Sequence, residues 1–494
     1  MANYHIGLDF GTSQTKVCLL NTDNDEREFV EFDNASFFLP TIITRKKDGT
    51  FSYGKEDENG TVYRYFKMAA AEDEELIQAT NEDLKGKTLS QNELDNFRRY
   101  NENHDIKPEI LSILYLSYVL LYVKDIKQEI SIKGKEKTGA LARFSQKKTE
   151  INNTFSIKMG IPTEWHNPHH IKRKIKFETI LIVVNEFFES FSNLADFLKE
   201  NSEELICKAT EINKKHSETI EPLTKNEKEL YIHSLLHQHK LSVFPETAAG
   251  ITFLLANKRL ANGYFAAMDI GAGTSDISIF LVRENKIFNY LCSESVEIAS
   301  NNVYSEYAGL NGVENNYASI RQIEILYKSG KSDPHLFQDS LRSVKKKLEL
   351  AIRKIFYRKH WKPLHIADTH AAGLIRQILD FQFIIIYGGG ANFAEIKFGD
   401  YMFFQNNPEK PDTNNYFKVR PISHYIDQVE VKNYDKVKEH INLLILALGL
   451  SHLPKDESNH DFFTSNDLPS PPDNDDNTNN EKYFYYDIQD AVYK

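Results

Sequence analysis

Cysteine is scarce in this chain. Cys18, Cys207 and Cys292 are scattered and make neither a disulfide framework nor a metal motif, which points to a reducing compartment, the cytoplasm. Long apolar runs are missing as well. The most apolar helical stretch, Ile110 to Val123, is broken by Ser112 and Ser117 and is too short for roughly 30 Å of hydrocarbon. With a mean hydropathy of −0.49, a polytopic membrane protein is excluded and no membrane association is expected. The start, MANYHIGLDFG, has no basic region followed by an apolar run, so no signal peptide is expected. An excess of positive charge is also absent. Sixty basic residues against 71 acidic ones leave a net charge of −11, which argues against a dedicated nucleic-acid binder. No Ser-His-Asp arrangement or hydrolase-type carboxylate pair stands out. His166, His169 and His170 cluster, and His233, His237 and His239 lie on a helix-like stretch. No acidic or cysteine partner stands at a zinc-binding spacing, so they read as surface histidines.

What is present is enough apolar sequence, 41% of 494 residues, for roughly two to four domains. Its first informative segment is Tyr4 to Leu20, where two strand-like runs flank Asp9-Phe10-Gly11-Thr12-Ser13-Gln14. Tyr264 to Val282 repeats the plan around Asp269-Ile270-Gly271-Ala272-Gly273-Thr274-Ser275. Each is an apolar strand, an aspartate, a glycine turn with small hydroxyl residues, and a second strand. The pair reads as one α/β device used twice. Between them, a strongly apolar helical segment begins at Pro108, Phe155–Ile161 is strand-like, and Lys176–Lys240 contains amphipathic helices such as Phe177–Leu198. Phe244-Pro245-Glu246-Thr247-Ala248-Ala249-Gly250 opens another helix. Ser340–Tyr357 is a basic amphipathic helix, Phe381–Tyr387 a buried-type strand running into Gly388-Gly389-Gly390-Ala391-Asn392, and Lys436–Leu453 the last good helix. From Lys455 the chain is rich in Asn, Asp and Pro and is expected to be disordered, except around Tyr483–Val492. That stretch holds three basic and ten acidic residues, so most of the net charge lies in it.

A glycine turn presents several backbone N–H groups to one point and lets a ligand come close, which suits phosphate oxygens. Two such turns led by aspartates, with a third glycine run after a strand, point to nucleotide binding. Two carboxylates facing a triphosphate suit Mg2+, which keeps most of its waters.

These motifs resemble the actin and seventy-kilodalton heat-shock chaperone ATPase superfamily over about residues 4–453. Asp9–Gln14 is similar to its first phosphate motif, Asp269–Asp276 to the second, Phe244–Gly250 to the first connecting motif, Gly388–Ala391 to the adenosine motif and Ala447-Leu448-Gly449 to the second connecting motif. The order of Pro108-Glu109-Ile110-Leu111, Ile161-Pro162-Thr163-Glu164-Trp165 and the FPETAAG segment resembles the chaperone branch. Tyr65-Phe66-Lys67-Met68 sits where that branch carries its active-site lysine. The resemblance implies an α/β, two-lobed actin-like ATPase fold built from duplicated ribonuclease H-like subdomains with helical insertions. Its first lobe would be 1–262, including an insertion at about 176–240, its second 263–422, with a return to the first at 423–454 and an acidic tail at 455–494.

For the site, the resemblance implies ATP or ADP with Mg2+ held through its waters by Asp9 and Asp269. Gly11, Thr12, Ser13 and Gln14 would grip phosphates from one side and Gly271, Ala272, Gly273 and Thr274 from the other, with Thr274 near the γ-phosphate. Glu246 would orient the attacking water, Lys67 would bear on the γ-phosphate, Lys345 would lie near the adenine, and Gly388, Gly389 and Gly390 would let adenosine approach. Arg342 stands where the family has a ribose-contacting acid. Plainer readings exist: Asp9 and Asp269 as turn caps, Glu246 as a helix-start charge, Lys67 as a solvated helix lysine, and Lys345-Lys346-Lys347 as helix surface. The function implied is a slow Mg-dependent ATPase. Chaperone-like lobe closure would switch an unidentified protein partner met through 176–240 or the tail. The alternative is a filament-forming actin homologue, with self-association, and a third reading is a small-molecule kinase. With forty-one residues after Leu453, a chaperone's peptide-binding domain is not expected.

Overall fold

A computed structural model describes residues 3–57, 59–71, 105–136, 153–166, 171–256, 263–282, 288–296, 298–313, 317–355, 383–389, 401–404, 415–422, 430–452 and 460–462. The chain begins with β1 (Asn3–Phe10), β2 (Gln14–Asn21), β3 (Glu26–Phe29) and β4 (Leu39–Pro40), followed by β5 (Ile42–Arg45), β6 (Phe51–Tyr53) and β7 (Thr61–Arg64). Helices α1 (Phe66–Ala71) and α2 (Pro108–Glu136) lead to β8 (Thr154–Ile161). Then come α3 (Ile171–Glu189), α4 (Leu194–Lys199), α5 (Ser202–Ile220) and α6 (Lys225–Gln238), β9 (Leu241–Pro245) and α7 (Glu246–Ala256). The next elements are β10 (Gly263–Ile270), β11 (Ser275–Val282), β12 (Phe288–Val296), α8 (Asn302–Leu310), α9 (Tyr317–Lys328) and α10 (Pro334–Ile355). The chain continues through β13 (Phe383–Tyr387), β14 (Tyr401–Phe404), β15 (Asn415–Pro421), α11 (Tyr434–Val437), α12 (Ile441–Leu450) and β16 (His460–Phe462). Contacts divide it into two compact units. One comprises Met1–Thr252, Glu314–Gln322 and Gln428–Leu453, the other Phe253–Val313, Ile323–Asp427 and Pro454–Lys494.

In the first unit the main sheet runs β3-β2-β1-β8-β9, with β4 on β2, and β5, β6 and β7 form a small separate sheet. β1, β2 and β3 are antiparallel neighbours, whereas β1, β8 and β9 are parallel. Parallel neighbours need a crossover, and α3 lies in the one between β8 and β9. Period-two geometry sends Ile6, Leu8 and Phe10 to one face, where they join α2 and α3 in one core,. Residues 108–121 of α2 and 180–185 of α3 are apolar nearly all round because they are buried nearly all round,. The buried part of α3 overlaps the stretch at about 176–240.

His5, Gly7 and Asp9 take the opposite face, and α12 lies on it. A side chain on Gly7 would start 2.3 Å from the Ala447 carbonyl, and one on Gly449 would start 1.7 Å from that of Ala249 in α7. The helix C-terminus of α12 leaves carbonyls without helical partners. His5 Nε2 donates to Leu450 O at 3.1 Å and accepts at Nδ1 from Ser156 Oγ at 2.7 Å. Lys158 Nζ donates to His452 O at 2.9 Å, and Arg27 donates to His452 Nδ1 at 3.2 Å. Cations are favoured at this end of a helix.

In the second unit the sheet order is β14-β15-β13-β10-β11-β12-β16. Its central run, β12-β11-β10-β13-β15, has two antiparallel pairs followed by two parallel ones, the order and senses of the first sheet. α8 packs on α10, and Phe337 of α10 stacks on Tyr327 at 4.0 Å between ring centres.

Two helices differ from the sequence expectation. Phe177–Leu198 is not continuous: α3 stops at Glu189, and the Asn193 side chain accepts from Asp196 N at 2.9 Å to cap α4. Lys436–Leu453 divides into α11, a 3-10 turn at Lys438–His440, and α12. The strand β16 falls within the stretch expected to be a disordered tail and pairs with β12; residues 463–494, including Tyr483–Val492, lie outside the described residues. Among the described residues no helix is long and apolar enough to cross a membrane.

Burial, reinforced by Lys158 and Arg27, pulls both His5 and His452 down to about 3 from 6.5. Between those values the unfolded chain binds protons that the folded chain refuses, so stability falls as pH drops below about 6.5. Each histidine adds up to about 1.4 kcal/mol per pH unit. Urea midpoints measured from pH 7 to pH 4.5 should fall steeply in the parent and less steeply in a His5→Gln/His452→Gln variant.

Candidate functional site

Asp9 closes β1. The hairpin register pairs Phe10 with Thr15, leaving Gly11, Thr12, Ser13 and Gln14 as a four-residue loop. Gly11 opens it because a side chain there would start 2.4 Å from the Gln14 carbonyl. Thr41 braces the loop, donating through Oγ1 to Gly11 O at 2.8 Å and through N to Ser13 O at 2.9 Å. Thr12 is buried, while Ser13 and Gln14 are exposed. The Asp9 carboxylate is buried and accepts from Lys16 Nζ at 2.8 Å. Lys16 escaped the sequence reading, yet the signal was there: a hairpin closing on four residues sets position 16 directly across from position 9.

Glu246 is the first residue of α7 and lies against the same face of the sheet. A side chain on Gly160 would start 3.1 Å from Glu246 Cγ. Lys67 Nζ donates to Glu246 Oε1 at 3.0 Å, with side chains only 4% and 8% exposed. The ammonium also stands 5.7 Å from the centre of the Phe10 ring, a cation–π distance. Lys67 is thus not a solvated helix lysine. The backbone that places it is strained: Tyr65, just before α1, has φ +57°, costly for a bulky residue. Burial pushes the Glu246 carboxyl up, Lys67 opposes that, Asp9 adds to it, and Lys16 opposes it.

In the second unit the register pairs Ile270 with Ser275, so Gly271, Ala272, Gly273 and Thr274 form a loop of the same length. Gly271 again opens it, with its N–H donating to Thr274 O at 2.9 Å and no room for a side chain, 2.8 Å from that oxygen. Asn301 N donates to Ala272 O at 2.9 Å and Ser300 Oγ to Gly271 O at 3.1 Å. Asp269 is buried and paired in register with Asp276. Gly388, at the end of β13, has φ +92°, and a side chain there would start 2.0 Å from Asp269 Oδ1. Gly389 follows it and is exposed; Gly390 lies outside the described residues.

Lys345 is half-buried on α10, one turn from Glu349, whose carboxyl burial raises and Lys345 lowers. Lys347 is paired with Glu306 of α8, and Arg342 is exposed and paired with Asp339 at 3.2 Å. His233 and His237 are exposed on α6, and among the described residues no group of three or more metal-ligating side chains gathers. Asp9 and Asp269 remain the hard oxygen donors at the two loops, the type that Mg2+ takes.

No family model and no curated protein matches the chain. A solved structure titled "pCBH ParM non-polymerisable quadruple mutant" is similar over 91% of this chain and 98% of its own, with 14% sequence identity and a TM-score of 0.39, a likeness too slight to carry an argument.

Removing one partner of a buried ion pair leaves the other charge stranded, at about 3–5 kcal/mol. Lys67→Met should therefore lower the urea midpoint sharply, and Lys67→Met/Glu246→Gln should recover much of the loss. Equal midpoints for parent and Lys67→Met would show the pair is not formed.

Proposed function

We propose that this chain is a Mg2+-dependent ATPase with the two-lobed, actin-like architecture, each lobe carrying one version of the same α/β unit. What supports this reading above all is the recurrence of one device in two sheets of like order. In each, an aspartate stands at the end of a strand and a glycine that admits no side chain opens a four-residue loop. Such loops offer backbone N–H groups to phosphate.

In this reading Gly11–Gln14 and Gly271–Thr274 hold the phosphates and Gly388–Gly390 and Lys345 lie toward the nucleoside. Asp9 and Asp269 would hold Mg2+ through its waters, and the ion would neutralise charge on the phosphates when bound. Lys16 has a phosphate within its class of partners as well as Asp9. Glu246 orients the attacking water. Lys67 favours the charged form of that carboxyl against the upward push of burial,, and bears on the γ-phosphate. Catalysis of this kind rests on positioning and electrostatics.

The cycle can drive self-assembly or a switch on an unidentified protein partner. Self-assembly needs no second component, and we carry it forward as the use to test first. The purified parent should hydrolyse ATP without an added acceptor, and Glu246→Gln, which leaves Lys67 a hydrogen-bond acceptor, should lower the rate about a hundredfold or more; equal rates would overturn the assignment. Parent protein with ATP and Mg2+ should sediment above a threshold concentration. Turnover without any pellet would remove the filament reading in favour of the partner switch, and strict dependence on a sugar would restore the kinase.

A further inference from the structure

The N-terminus of α7 is capped from another segment. The first N–H groups of a helix have no helical acceptor, and Pro245, just before Glu246, carries no side-chain acceptor to offer. The Thr247 N–H instead donates to Thr163 Oγ1 at 3.0 Å, and the two threonine hydroxyls are themselves in hydrogen-bond contact. Both side chains are fully enclosed. Thr163 stands two residues past the end of β8, after Pro162, whose ring fixes its φ. β8 also supplies Gly160, over which the Glu246 side chain lies. The end of one strand therefore holds Glu246 twice, beneath its side chain and through the residue next to it.

We propose that Thr163 is a positioning residue for Glu246: its hydroxyl fastens the first turn of α7 to the end of β8 and so fixes where the Glu246 carboxylate stands. This rests on Glu246 being the group that orients water. The remainder of α7 has its own hold on the structure, through buried Ala248, Ala249 and Leu254 and the close approach of Gly449. Losing the hydroxyl therefore loosens the first turn without releasing the helix. The Lys67 ammonium draws on Glu246 from the other side, and an unfastened turn leaves that contact to decide the carboxylate's place.

The test compares Thr163→Val, which keeps the shape and removes the hydroxyl, with Thr163→Ser, which keeps the hydroxyl, in the full chain. Two quantities are read: hydrogen exchange at the Thr247 amide and steady-state ATP hydrolysis. Thr163→Val should speed exchange at Thr247 and lower kcat about tenfold or more with KM for ATP changed less than about twofold, because small misplacements of a catalytic group are costly. Thr163→Ser should stay within about twofold of the parent in both. Parental kcat in Thr163→Val, or an equal fall in both variants, would overturn the proposal. Faster Thr247 exchange in a protein whose parent hydrolyses no ATP would uphold the fastening and reject the role given to Glu246. If the valine variant does not fold, Thr163→Ala takes its place with the same expected outcomes.

Discussion

Helix α12 lies on β1 with no side chain between them at Gly7. Gly7 offers bare backbone to the Ala447 carbonyl, Gly449 does the same for Ala249 of α7, and Gly160 leaves room for both Leu450 and Glu246. A single added carbon at Gly7 or Gly449 would meet backbone atoms at distances that real structures do not show, and one at Gly160 would crowd Glu246 and Leu450. Close approach of this kind gives up side-chain packing and gains position: the backbones of a strand and two helices become one solid piece. Asp9 ends that strand and Glu246 begins one of those helices, so the placement of two carboxylates follows from the absence of three side chains.

The same face carries a dense set of buried charges and partners. Asp9 has Lys16, Glu246 has Lys67, and the end of α12 has His5 and Lys158. Charges out of water are tolerated only when paired and hydrogen-bonded. This face therefore reads as one electrostatic arrangement in which a change at one member is felt by its neighbours, as the raised Glu246 carboxyl shows.

Much of this was legible in the sequence, and the unread part has a physical cause. The two strand-turn-strand segments could be read because glycine, small hydroxyl residues and alternating apolar positions are local signals. Glu246 and Lys67 could be named through the resemblance, but their contact at 3.0 Å spans 179 positions and has no local signature. The break at Ser190–Asn193 was missed because both flanking segments are apolar, and only the Asn193 cap separates them. A threonine after a proline carries no sign of a cap in the sequence until the helix that Thr163 caps is brought beside it.

The two loops share a length and an opening glycine, yet they differ in what lies across the hairpin. Position for position, Asp9 faces Lys16, whereas Asp269 faces Asp276. Opposite charges across a strand pair attract and like charges repel. The first aspartate thus has a lysine of its own hairpin as its partner, while the second has a carboxylate in register across from it. In a device used twice, one residue in each second strand sets what the aspartate meets across its hairpin.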